Sequence, residues 1–156
     1  MERNLLIAFD DSENAMRAVE QVARSFSSDS AVTLFHVAQD SSALCNMNSP
    51  ELIPLFKHGQ SEFCSLEDKK RSLVQAASEK AKQLLVDKGF KPERVTIRIE
   101  TAQHGVARDI IQEADNNYDV LVLGKRGISG IKAFLFGGTT QKVIQGIEKA
   151  SLFIVN

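Results

Sequence analysis

Apolar positions in this chain fall into two rhythms that alternate from one end to the other. The first is a continuous run, Leu5-Leu6-Ile7-Ala8-Phe9, closed by the polar corner Asp10-Asp11-Ser12. It suits a strand buried on both faces. Ser12 then reads as a helix N-cap, and Ala15, Val19, Val22 and Phe26 recur at helical spacing between charged residues. A small polar turn at 27–30 hands over to Ala31–Val37, a second strand rich in β-branched and apolar side chains. This opening strand, helix and strand make a parallel unit whose crossover is expected to be right-handed.

The rhythm breaks over residues 38–64, where Pro50, Pro54 and Gly59 mix with Leu52, Ile53, Leu55 and Phe56. A long loop is expected there, either a functional cover or a disordered excursion, with Ser49-Pro50-Glu51 able to begin one short helix. Ser65-Leu66-Glu67-Asp68 has the pattern of a capping box, and the stripe Leu73, Ala77, Ala81, Leu84, Leu85 predicts a helix ending at Lys88-Gly89. Val95–Glu100 alternates apolar with polar side chains, as an edge strand with one solvated face does. A helix follows Gly105, with Val106, Ile110, Ile111 and Ala114 on its apolar side. Asp119–Gly124 is a buried strand, a glycine-rich stretch spans 124–138, a helix runs from about Thr139 to Glu148, and Leu152–Val155 is the last strand.

Five strands alternating with four helices predict an α/β fold: a doubly wound five-stranded parallel sheet, order 3-2-1-4-5, with helices on both faces. One domain over residues 1–156 accommodates it. At 43% hydrophobic and 25% charged residues the composition is that of an ordinary globular core. Lys and Arg number 19 against 20 Asp and Glu, so no net field attracts a polyanion and no nucleic-acid partner is expected. The run Leu5–Phe9 is too short for a signal-peptide core or a membrane span, which predicts a cytoplasmic protein with no membrane partner. Cys45 and Cys64 stand in neither a Cys-x-x-Cys pair nor a zinc spacing, and free thiols are the expectation.

Open parallel sheets bind ligands beyond the carboxyl ends of their strands, where the strand order reverses. Two segments meet that condition: Asp10–Ser12 after the first strand and Gly124–Gly130 after the fourth. His36, His58 and His104 are scattered, and no Ser, Cys or carboxylate is spaced with them as a triad or metal set. Neither a Walker loop nor Gly-x-Gly-x-x-Gly occurs. No catalytic base and no metal site is therefore assigned.

Gly124, Gly127 and Gly137 have the spacing Gly-x2-Gly-x9-Gly, flanked by Val122-Leu123 before and Thr140-Gln141-Lys142-Val143-Ile144 after, with Phe134-Leu135-Phe136 inside. With Phe9-Asp10-Asp11-Ser12-Glu13 near the N-terminus, this resembles the nucleotide-binding members of the universal stress protein family, over nearly the whole chain outside 38–64. Glycines let backbone approach phosphate closely and present amide hydrogens. Gly137, Gly138 and Thr139 precede or open a helix whose free N–H groups favour an anion.

The resemblance implies binding of an adenine nucleotide, ATP or else ADP or AMP, with Mg²⁺ accompanying ATP, and a stress-response role with slow or no hydrolysis. By position, Asp10 falls beside the ribose or phosphate, Val37 at the adenine, and Gly124, Gly127, Gly137, Gly138, Thr139 and Thr140 on the phosphate segment, with Ala8 a further nucleotide-binding residue. The family's Ser or Thr after the third glycine is Gly138 here, with Thr139 next to it. Lys125 and Arg126 are either phosphate contacts or a solvated pair, and Gly105 is a turn glycine with a possible adenine contact. The resemblance further implies a homodimer through the C-terminal strand, to be split by replacing Phe153 and Val155 with Lys. A dimeric scaffold that binds no nucleotide is the alternative, and a nucleotidyl- or phosphotransferase carries least weight.

Overall fold

The computed structural model describes residues 1–46, 54–125 and 138–156. Five strands, β1 (Asn4–Ala8), β2 (Ala31–Ala38), β3 (Val95–Thr101), β4 (Val120–Gly124) and β5 (Ser151–Val155), form one sheet in the order β3-β2-β1-β4-β5. Every pairing is parallel, as the alternation of strands and helices predicts. β1 is central: Ile7 lies opposite Leu34 on one side and Val122 on the other.

Because successive strand residues point to opposite faces, the buried run of β1 feeds two cores. Leu5 and Ile7 join Val32, Leu34, Val120 and Val122 on one face. There they meet α1 (Glu13–Ser25) through Ala18, Val19 and Val22, and α3 (Pro54–Asp87) through Ala81 and Leu85. Leu6 joins Phe35, Leu121 and Leu123 on the other face, against Ile110 and Ala114 of α4 (Val106–Asn117) and Val143 of α5 (Gly138–Gly146). Leu5, Leu6 and Ile7 are fully buried, each side chain contributing on the order of 2 kcal/mol by leaving water.

Polar ties fix the ends of these elements. Ser12 caps α1, its Oγ accepting the Ala15 N–H at 3.1 Å, as the sequence predicts. Asp119 Oδ2 accepts the Asn4 N–H at 2.8 Å. The Asp115 carboxylate takes the backbone N–H groups of Glu148, Lys149 and Ala150, so α4 fixes the entry of β5. At the β3 edge, Arg98 pairs with Glu113 of α4 while its guanidinium lies 5.2 Å from the centre of the Phe35 ring. Among the described residues no helix is long and apolar enough to cross a membrane.

Two expectations are corrected. The segment 38–64 is not one long loop: α2 occupies Ser42–Cys45, and α3 begins at Pro54, well before Ser65. Proline suits a first helical turn. From Phe56 to Leu73 most of the helix is exposed, so it lacks the apolar periodicity that a core-facing helix writes into sequence. The Ser65–Asp68 pattern therefore lies inside a helix and caps nothing. The second correction concerns the thiols: Cys45 and Cys64 form a disulfide, their Cα atoms 5.8 Å apart. Spacing along the chain did not reveal it because two helices bring the residues together. The possible short helix at Ser49-Pro50-Glu51 lies outside the described residues.

Candidate functional site

The carboxyl ends of β1, β2 and β4 open into a cavity of ≈ 500 Å³. Seven of the sequence-predicted site residues line it: Ala8, Asp10, Val37, Gly124, Gly138, Thr139 and Thr140. They come from four separate stretches of chain, joined only by the strand order. Lys125 is not among the lining residues; its backbone N–H donates to Val155 O at 2.7 Å, continuing the β4–β5 pairing. Gly127, Gly137 and Arg126 lie outside the described residues. Gly105 does not line the cavity, although its neighbour Val106 does; its φ of +107° suits glycine at the start of α4.

The inner wall is built from strand ends. Phe9 N–H donates to Phe35 O at 2.8 Å, which extends the β1–β2 pairing to the rim of the cavity. His36 Nδ1 lies 2.8 Å from Phe9 O; with a carbonyl as partner this nitrogen carries the proton, leaving Nε2 as an acceptor. Burial, joined by the charge of Lys70, holds the His36 pKa below its ordinary value of 6.5 against the opposing pull of Phe9 O, Asp10 and Asp11. Asp10 Oδ1 accepts the Ser12 N–H at 2.8 Å, which fixes the acidic corner at the start of α1. The neighbouring Asp11 Oδ1 is buried without a hydrogen-bond partner among the described residues.

Two glycines of the wall differ in what holds them. A Cβ on Gly124 would lie 3.1 Å from the Asn14 carbonyl oxygen, so glycine here lets the first turn of α1 pack on the end of β4. At Gly138 a Cβ would meet nothing within 4 Å among the described residues. Gly138, Thr139 and Thr140 form the first turn of α5, whose N–H groups have no partner within the helix and can receive an anion.

The residues of the outer wall were not named in advance as site residues, although Gln39 and Ser41 fall in the segment expected as a loop or functional cover. Glu67, Asp68, Lys70 and Arg71 of α3 line the cavity, together with Gln39 and Ser41 just before α2. Arg71 Nη2 donates to Thr101 Oγ1 at the end of β3, at 3.1 Å. The basic triplet Lys69-Lys70-Arg71 is the one local signal the sequence carries for this wall. The Cys45–Cys64 disulfide and a hydrogen bond from Gln60 Nε2 to Leu44 O join α2 to α3 beside these residues. No cluster of three or more potential metal ligands occurs among the described residues.

Residues 1–154 match the model of the universal stress protein family. No curated protein matches the chain. The fold is similar to that of universal stress protein UspA from Lactobacillus plantarum, at 19% identity, with 98% of this chain and 97% of that chain covered and a TM-score of 0.69. A universal stress protein in complex with cAMP aligns at 14% identity over 99% of this chain and 96% of that chain, TM-score 0.61. A universal stress protein family protein from Arabidopsis thaliana with AMP bound aligns at 17% identity over 97% and 90%, TM-score 0.51.

Proposed function

Since the chain belongs to the universal stress protein family, we propose that it binds an adenine nucleotide, ATP foremost, in the cavity at the carboxyl ends of β1, β2 and β4. The observation that carries this reading is the convergence of Asp10, Val37 and Gly124 with the first turn of α5 on that one cavity. Backbone N–H groups of Gly138, Thr139 and Thr140 receive phosphate oxygens. The backbone at Val37 and the apolar side chains around it receive the base, and Asp10 serves the ribose or an Mg²⁺ ion shared with the phosphates. Solved relatives of this fold carry cAMP and AMP, which supports the adenine class.

On this reading the protein is a stress-response regulator that holds ATP and hydrolyses it slowly or not at all, with Gly127 and Gly137 completing the phosphate loop. It acts in the cytoplasm, where a Cys45–Cys64 bond would respond to redox state, since permanent disulfides belong to oxidising compartments. Titration calorimetry tests the reading: the parent chain binds ATP, and folded Gly127→Val and Gly137→Val variants bind it at least tenfold more weakly. Parent-like affinity in both variants would overturn the phosphate assignment.

A homodimer through β5 is a second element of the proposal, favoured by the position of β5 at the sheet edge with Ile154 39% exposed. Phe153 packs edge-on against Phe26, which caps the C-terminus of α1, and Val155 is buried, so lysine at those positions would damage the core before it reached an interface. Ile154→Lys is the appropriate probe. Light scattering should give a dimer for the parent and a monomer for this variant; a monomeric parent rejects the interface.

A further inference from the structure

Among the described lining residues, Arg71 is the one whose planar cationic side chain is held by a hydrogen bond to the end of another element, Thr101 of β3. The strand order gives this a direction. Gly138–Thr140, where an anion is received, line the cavity together with Gly124 at the end of β4. β3 lies at the opposite edge of the β3-β2-β1-β4 row, three strand spacings or roughly 14 Å away. That distance is comparable with the reach of an extended nucleotide. A ligand with its phosphates at α5 therefore has its base over β2 and β3, where Val37, Val106 and Ile110 supply apolar surface from the α4 side.

We infer that Arg71 closes the base subsite from the α3 side, laying its guanidinium against the face of a purine base, with Thr101 as the positioning residue that holds the plane. Guanidinium is suited to this because it is flat, weakly hydrated and attracted to π faces, which a lysine ammonium matches poorly. Arg71 forms no ion pair among the described residues, so the face of the group is not committed elsewhere. The inference deepens the proposed nucleotide binding and rests on it. It also separates two kinds of cation: a phosphate ligand would distinguish ATP from AMP, whereas a base-stacking arginine serves every adenine nucleotide alike.

The experiment measures AMP, ADP and ATP affinities of the full chain by calorimetry, for the parent and for Arg71→Ala, Arg71→Lys and Thr101→Val, with folding checked by circular dichroism. Arg71 is exposed, so its variants should fold. The expected result is a loss on the order of tenfold with Arg71→Ala, equal for the three nucleotides, and with an unchanged salt dependence. Arg71→Lys should recover little of it, and Thr101→Val should lose a smaller part. The near-ultraviolet band of the bound adenine, perturbed by stacking in the parent, should return towards that of free nucleotide in Arg71→Ala. A loss that grows with phosphate number, full rescue by lysine, or no loss would overturn the inference while leaving nucleotide binding intact. Absence of binding by the parent would overturn both.

Discussion

The two walls of the cavity are made in opposite ways. The inner wall consists of strand ends whose side chains are locked from both faces: Leu6, Ile7, Phe35 and Leu123 are each at most 3% exposed. Its backbone is fixed by ladder pairing on both sides of β1. The outer wall is the largely exposed half of α3, joined to α2 by the Cys45–Cys64 disulfide and the Gln60–Leu44 hydrogen bond, and touching the sheet edge through Arg71. A rigid shelf and a tethered flap thus share one ligand space. Residues that must hold a fixed geometry sit on the shelf, whereas affinity can be adjusted on the flap without disturbing the core.

The comparison breaks most visibly if the core is opened. Leu6→Ala removes a fully buried side chain beneath the shelf and should cost about 2–5 kcal/mol, read as a fall in the midpoint of urea unfolding. Breaking the disulfide, by Cys45→Ser or by a dithiol reductant, comes next. Its 19-residue separation corresponds to a chain-entropy effect on the order of 3 kcal/mol. The effect should be local: amide exchange in α2 and in the first turns of α3 should speed up about a hundredfold, with Ile7, Leu34 and Val122 unchanged. Acceleration spread evenly over the sheet would mean that shelf and flap are a single cooperative unit.

The smallest effect measures how strongly the walls sense each other. His36 on the shelf has its pKa held down mainly by burial and, next among the lowering influences, by Lys70 on the flap. A histidine whose folded pKa is depressed contributes stability that is intact above its unfolded value and lost as pH falls through the folded one. Unfolding free energy should therefore decline as the pH is lowered from about 6.5, and imidazole NMR shifts should place the midpoint below 6.5. Lys70→Gln should move that midpoint upward. An unmoved midpoint would show that the flap's charge does not reach the shelf.

The shelf was legible in the sequence and the flap was not, for one physical reason. Strands buried on both faces must be apolar throughout, so Leu5–Phe9 and Val120–Leu123 declare themselves, and the glycines and acids that end them follow by position. The parallel sheet came from that, and the seven lining residues came from the family resemblance carried onto the ends of its strands. The first half of α3 covers no core, so nothing in its pattern distinguishes helix from loop, and Pro54 with Gly59 suggested a break. Cys45 and Cys64 become neighbours only once α2 and α3 are in place. Arg71 reaches Thr101 across 30 residues of sequence, which no local motif records.

The central position of β1 has a consequence for synthesis of the chain. β2 arrives soon after β1 and covers one of its edges. The other edge waits for β4, whose arrival also completes the Asn4–Asp119 tie across 115 residues. At ribosomal speeds of about 5–20 residues per second, that interval is on the order of ten seconds. Throughout it Leu5, Leu6 and Ile7 present an unpaired apolar edge. The stretch that later supports the shelf is thus, in the nascent chain, open to pairing with a neighbouring chain on the same message.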